Sequence, residues 1–141
     1  MAGERLVLST VLLQHCRIES EEELVQARLA VKVHAVDLAF SAVNQTKLVT
    51  VASELGRNVL EHGMGGQMQI DRIDGAARSG IRLTFLDHGP GIEDVKLAMT
   101  DGYSSKQGLG LGLSGSKRLM DEFEIRSEPG MGTTVIVTKW K

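Results

Sequence analysis

The chain is 141 residues long, with 42% apolar and 24% charged residues, which is the size and mix of one soluble globular domain. A formal net charge of −2 supplies no basic excess and argues against a nucleic-acid surface. One cysteine, Cys16, excludes an internal disulfide and points to a reducing cytoplasm; the apolar run from Leu6 to Leu13, broken by Ser9 and Thr10, is too short for a membrane span and is followed by no signal-peptide cleavage site.

The first segment, "ERLVLSTVLLQHCRI", is rich in β-branched and apolar residues and predicts one or two extended stretches. Ser20 with Glu23 three residues on forms a capping box, and the acidic first turn suits a helix N-terminus. Val25, Leu29, Val33, Val36 and Phe40 follow at helical spacing and predict the buried stripe of a first helix. A second helix is expected from about Gln45 to His62, burying Leu48, Val51, Ala52, Leu55 and Val59 and ended by "GMGG".

The period then changes to two. "QMQIDRI" and "IRLTFLD" predict an antiparallel pair of strands joined by the loop from Asp74 to Gly80. "HGPGI" breaks the second strand and "EDVKLAMT" suits a short helix. After the polar "DGYSSKQ" comes the glycine-rich "GLGLGLSGSK", then a helix expected from about Leu113 to Phe123. "EIRS", the turn "EPGMG" and "TTVIVTKW" close the chain as a hairpin. This order predicts an α+β fold, with helices packed on one face of a mostly antiparallel sheet.

Three stretches carry chemistry. Gly110-x-Gly112-x-x-Gly115 spells a dinucleotide fingerprint, but it follows polar residues rather than a strand, and only 26 residues remain after it. It is also one transposition from a phosphate-binding P-loop, since Ser116 precedes Lys117 instead of following it. Both fail on context. What survives is a mobile loop with backbone N–H groups leading into a helix N-terminus, suited to an anion or to closing over a ligand, or else a plain surface loop. In the second helix Glu54 and Asn58 lie four apart on one face; such a pair can hold a hydrated magnesium ion or can form a solvated helix face. Asp87 ends a strand before Gly89 and Gly91, where it can accept from an exocyclic amine such as adenine's, or simply form a turn.

Taken in order, "ELGRN", "DHGPGI", "GLGLGL" and "GMGTT" resemble the N-box, the two glycine boxes and the terminal Gly-x-Gly-Thr of the GHKL (Bergerat) ATP-binding fold, whose members include gyrase, MutL and histidine kinases. "DGYSSKQGLGLGLSGSKRLMDEF" is similar to the signature of the small RsbT-type switch kinases of the bacterial stressosome. The resemblance covers about residues 16 to 141 and leaves residues 1–15 as an extra N-terminal strand on a single ATPase domain.

The resemblance implies a sheet covered on one face by helices and a set of roles. Asn58 would be the magnesium ligand and Glu54 the catalytic base, or the group that orients the attacking hydroxyl. Asp87 would accept from the adenine amino group, in a pocket shaped by Gly89 and Gly91. Gly108, Gly110 and Gly112 would form a lid over the phosphates. Thr133 would reach the adenine side through water, and Arg57 would sit near the phosphates. The implied cofactor is Mg-ATP, and the implied partners are STAS-domain antagonist or scaffold proteins, with a PP2C-type phosphatase as a further one; neither nucleic acid nor membrane is expected.

No phosphoacceptor hairpin fits, since His34 is followed by Ala35 and His15 lies in a strand-like segment. A phosphoryl group would therefore go to another protein or to water; the resemblance implies the former, a cytoplasmic serine/threonine kinase of a partner-switching pathway. The alternative is a non-enzymatic module, an anti-sigma factor or phosphatase activator, that sequesters partners. Such a module needs Asn58 and Asp87 but has no use for a base at Glu54.

Overall fold

The computed structural model describes residues 6–100 and 112–141. Its elements run β1 (Ser9–Ile18), α1 (Glu21–Asp37), α2 (Ala42–Glu61), β2 (Gly66–Asp74), β3 (Ser79–Asp87), α3 (Val95–Ala98), α4 (Leu113–Leu119), β4 (Glu122–Ser127) and β5 (Thr133–Trp140). The strands form one sheet in the order β1-β2-β3-β5-β4, and every pairing is antiparallel. Helices α1 and α2 cover one face, and their buried side chains share a single core with Met68, Ile70, Ile81, Leu83, Phe85, Val135 and Val137 of the sheet. None of the described helices is long and apolar enough to cross a membrane.

Local chemistry starts both long helices. Ser20 Oγ accepts from the Glu23 amide at 3.1 Å, and the Glu23 carboxylate accepts from the Glu19 amide at 2.9 Å, a variant of the capping box that uses the amide before the N-cap residue. Ser41 caps α2 in the same way through the Asn44 amide, at 3.2 Å, so α2 starts at Ala42 rather than near Gln45. Its buried face is Leu48, Val51, Ala52, Leu55, Gly56 and Val59. The β2–β3 hairpin pairs Gly66 with Asp87 and Asp74 with Ser79.

Two expectations fail. On α1 the residues expected to form the buried stripe are exposed: Val25 at 42%, Leu29 at 54%, Val33 at 54% and Val36 at 50%, with only Phe40 beyond the helix buried. The buried face is instead Leu24, Ala27, Ala30, Val31 and Ala35. This helix has apolar residues on two sides, and the alanine-rich side lets its axis lie closer to the layer beneath. Helix α4 also ends at Leu119, well short of Phe123. Phe123 belongs to β4, opposite Val137. The Asp121 carboxylate accepts from the Trp140 amide at 2.7 Å, and the Asp121 amide donates to Thr138 O at 2.9 Å; sheet pairing thus takes over from helical periodicity. At the other end β1 runs as one strand through position 15 to Ile18 and pairs with β2, with a register shift between Leu12 and Gln14.

Candidate functional site

A cavity opens between α2 and the ends of β3 and β5, lined by Leu55, Asn58, Val59 and His62 of the helical side and by Phe85, Asp87, Ile92, Thr133 and Val135 of the sheet side, with Leu113 at its edge. Its walls are mostly apolar and its enclosed space is small, about 40 Å³. Seating a planar heterocycle therefore requires the walls to part.

Asp87 is the polar floor. It is 7% exposed and ends β3. Its Oδ1 accepts from the Gly89 amide at 2.9 Å and the Thr133 amide at 3.2 Å. No described residue donates to Oδ2. Burial pushes the carboxyl above its ordinary value, against the two amide bonds and the nearby His88 and His62. The surroundings are closely built. A Cβ on Gly63 would fall 2.4 Å from the Asp87 side chain, and one on Gly89 would fall 2.7 Å from Gly63 Cα. The glycines after α2 thus let the helix end rest directly on the carboxylate, a role beyond the helix stop that their sequence suggests. Gly91 lines the cavity with φ of +78°.

Thr133 is fixed through a hydroxyl relay. Ser127 Oγ donates to Gly132 O at 3.1 Å and accepts from the Ile92 amide at 2.7 Å. With its one proton so used, Ser127 accepts from Thr133 Oγ1, 2.8 Å away. Thr133 keeps acceptor capacity for the cavity. Ser127, in the plain-looking "EIRS", carried no sequence signal.

Helix α2 delivers the remaining polar groups. Asn58 is in the wall, while Glu54, one turn earlier, is exposed and outside the lining. Glu54 meets the start of α4: a Cβ on Gly112 would lie 2.7 Å from Glu54 Oε2, and Gly112 has φ of +71°. His62, one turn after Asn58, also lines the cavity, and its Nε2 is buried without a hydrogen-bond partner among the described residues. The repeat of four through positions 54, 58 and 62 was the signal that could have found it.

Arg57 is engaged elsewhere. Its guanidinium pairs with Glu21 of α1 at 2.7 Å and with Glu61 at 3.2 Å, and it does not line the cavity. At position 57 the helix turns its side chain towards α1, where two carboxylates outcompete water. Gly108 and Gly110 lie outside the described residues. The structure therefore brings Asn58, Asp87, Gly91 and Thr133 into one wall, with Glu54 and Gly112 beside it.

Comparison with known proteins gives a consistent picture. The family model described as "Histidine kinase-, DNA gyrase B-, and HSP90-like ATPase" matches residues 43–141. The chain is 41% identical to the serine/threonine-protein kinase RsbT of Bacillus subtilis, over 90% of this chain and 96% of that one. It is 35% identical to an anti-sigma F factor of Halalkalibacterium halodurans, over 80% and 81% of the two chains. Among solved structures, the catalytic domain of the histidine kinase ThkA overlays with a TM-score of 0.51 at 16% identity, covering 92% of this chain and 99% of that one; that likeness speaks for the fold alone.

Proposed function

The chain belongs to the histidine kinase-, DNA gyrase B- and HSP90-like ATPase family, and on that premise we propose that it transfers the γ-phosphoryl group of Mg-ATP to a serine or threonine of a STAS-domain antagonist in a cytoplasmic, stressosome-type partner-switching pathway. It is an ATP-using serine/threonine protein kinase; the acceptor, the metal and the residue roles are our reading. The observation that carries it is the placement of Glu54 and Asn58 one turn apart on α2, with Asn58 in the cavity wall and Glu54 exposed against Gly112 at the start of α4.

The residues present suit the nucleotide. Asp87 leaves Oδ2 free to accept from the adenine amino group, and Leu55, Val59, Phe85, Ile92 and Val135 supply flat apolar walls. Thr133 adds a water-mediated contact. Among the described residues no three His, Cys, Asp or Glu side chains converge on a metal position. A magnesium ion here would thus be held mostly by phosphate oxygens and water, with Asn58 as its protein ligand. ATP supplies the transferable phosphoryl group. Glu54 takes the proton of the acceptor hydroxyl, and Gly112 opens α4 beside it.

The similarity to anti-sigma F factors favours a second reading, sequestration of a partner without its phosphorylation. Glu54 separates the two. A general base contributes about 10²–10⁴-fold to rate and nothing to holding ATP. Wild-type protein mixed with labelled ATP and a purified STAS-domain antagonist should label that antagonist. Glu54→Gln should keep ATP and partner affinity yet lower the labelling rate at least about a hundredfold. Unlabelled partner with wild type would leave only the sequestering module; unchanged labelling by the variant would remove Glu54 as the base.

A further inference from the structure

The hydroxyl of Ser127 joins three segments at the Asp87 end of the cavity. Ser127 is the last residue of β4 and stands opposite Thr133 of β5. Its Oγ accepts from the Ile92 amide at 2.7 Å, on the stretch after β3, and donates to Gly132 O at 3.1 Å, in the turn before β5. Thr133 Oγ1 lies 2.8 Å from it. A hydroxyl offers one donor and two acceptor lone pairs, and here all three are used. Alanine would offer none of them, and threonine would offer them all.

The chain of contacts runs on to the carboxylate. Thr133, tied through its hydroxyl to Ser127, donates its amide to Asp87 Oδ1 at 3.2 Å. Ile92, tied through its amide, lines the same cavity as Asp87 and Thr133. The turn and the stretch after β3 also meet through backbone, where the Gly130 amide donates to Pro90 O at 2.7 Å. Ser127 adds the side-chain tie. It is not itself part of the cavity lining, so its effect on a ligand passes through Thr133 and Ile92.

We propose that Ser127 is a positioning residue for base recognition: its hydroxyl fixes Thr133 and the Ile92 wall around Asp87 before the nucleotide enters. The adenine edge is then read by groups already in place, and binding does not have to order them. Without Ser127 the Thr133 hydroxyl is free to turn, and the wall loses its anchor at the Ile92 amide. The inference rests on the reading of this cavity as a nucleotide site with the base at Asp87.

Calorimetry on the full chain with Mg-ATP and Mg-GTP tests it. Ser127→Ala should bind ATP about three- to tenfold more weakly than wild type, the worth of one hydrogen bond, and its preference for ATP over GTP should narrow by a similar factor. Its KM for ATP should rise in step while kcat holds, because Glu54 and Asn58 stand on another element, α2. Ser127→Thr keeps the hydroxyl on a residue suited to a strand and should retain the wild-type preference. In a Thr133→Val background, Ser127→Ala should change the preference little further, since its effect on base reading passes through Thr133. A serine that served stability alone would lower the melting temperature and leave the ATP-to-GTP ratio of the folded variant at its wild-type value. That result overturns the proposal, as does equal loss of the preference in Ser127→Thr and Ser127→Ala, or independent effects of the two substitutions in the double variant. Should Ser127→Ala not fold, Thr133→Val decides, since it leaves Ser127 bonded to Ile92 and Gly132. An unchanged preference there overturns the proposal, and a narrowed one with Ser127→Thr at the wild-type ratio upholds it. Equal binding of ATP and GTP by wild type would instead remove the base reading at Asp87, and the proposal with it.

Discussion

At the residue scale, Asp87 is poised between stability and recognition. Its carboxyl is pushed up by burial, so its folded pKa exceeds the unfolded one. Its contribution to stability is complete below the ordinary carboxylate value, 3.8, and is lost as pH rises through the raised value. Asp87→Asn can still accept the Gly89 and Thr133 amides on its Oδ1, and it removes the buried charge. Nucleotide-free melts should therefore show the variant at least as stable as wild type at pH 7, with a shallower fall in stability above pH 3.8. ATP binding should weaken by roughly 1–3 kcal/mol, because the bond to the adenine amino group loses its charge assistance. The preference for ATP over GTP should shrink as well, since aspartate faces guanine's oxygen as acceptor to acceptor whereas asparagine can donate. Calorimetry with both nucleotides checks this, and equal affinities in wild type would remove Asp87 from base recognition. Asn58→Ala, in the neighbouring wall, should abolish phosphoryl transfer while lowering nucleotide affinity more with magnesium present than without it. Normal turnover by that variant would show that the metal is held elsewhere.

At the element scale, the start of α4 is the sensitive junction. Gly112 occupies the left-handed region at φ +71°, and any Cβ there would press on Glu54 Oε2 from 2.7 Å. Gly112→Ala should cost about 1–2 kcal/mol from backbone strain alone, and by displacing Glu54 it should slow phosphoryl transfer at least about tenfold. Gly115 lies within the same helix, and a methyl group added there would meet no atom of the described residues within 4 Å. Gly115→Ala should instead stabilise α4 by roughly 0.5–1 kcal/mol, and transfer should continue. Denaturant melts with parallel labelling assays separate the two; equal effects would mean that the contact with Glu54 is immaterial. The same contrast explains why a glycine pattern alone misleads. Gly110, Gly112 and Gly115 match a dinucleotide fingerprint by spacing, yet Gly112 is a left-handed helix start against a carboxylate and Gly115 is an open helical position.

At the scale of the whole molecule, the cavity lies between the helical layer and the inner strands β3 and β5, with contributions from α2, α4 and the segment after β3. A ligand there binds the folded state across several elements that are far apart in the chain. Mass action then stabilises the protein by about 2.7 kcal/mol when free nucleotide is a hundredfold above its Kd, which for a domain of this size is a rise in Tm of several degrees. Mg-ATP should produce that shift in a thermal melt and Mg-GTP a smaller one. No shift with either would place the nucleotide outside this cavity.

Much of this molecule is written in local sequence chemistry. The Ser20–Glu23 box, the buried face of α2, the β2–β3 hairpin and the four-residue spacing of Glu54 and Asn58 each depend on residues within a turn or a strand of one another, and such interactions are complete within a short window. The order of "ELGRN", "DHGPGI", "GLGLGL" and "GMGTT" identified the family for the same reason, as each motif is contiguous. What lay beyond reach involves choices between partners distant in the chain. Helix α1 has two apolar sides, and only packing against the sheet and α2 decided that Leu24, Ala27, Val31 and Ala35 go inward while Val25, Leu29, Val33 and Val36 face out. Arg57 sits between two site candidates in sequence, but Glu21 of another helix captured it. Phe123 continued a helical pattern until pairing with Val137 claimed it for β4. Ser127 gained its role only when β4, β5 and the turn after β3 converged on one hydroxyl. Periodicity states what an element can bury; competition among all the elements for one core and one set of hydrogen bonds settles what it does bury.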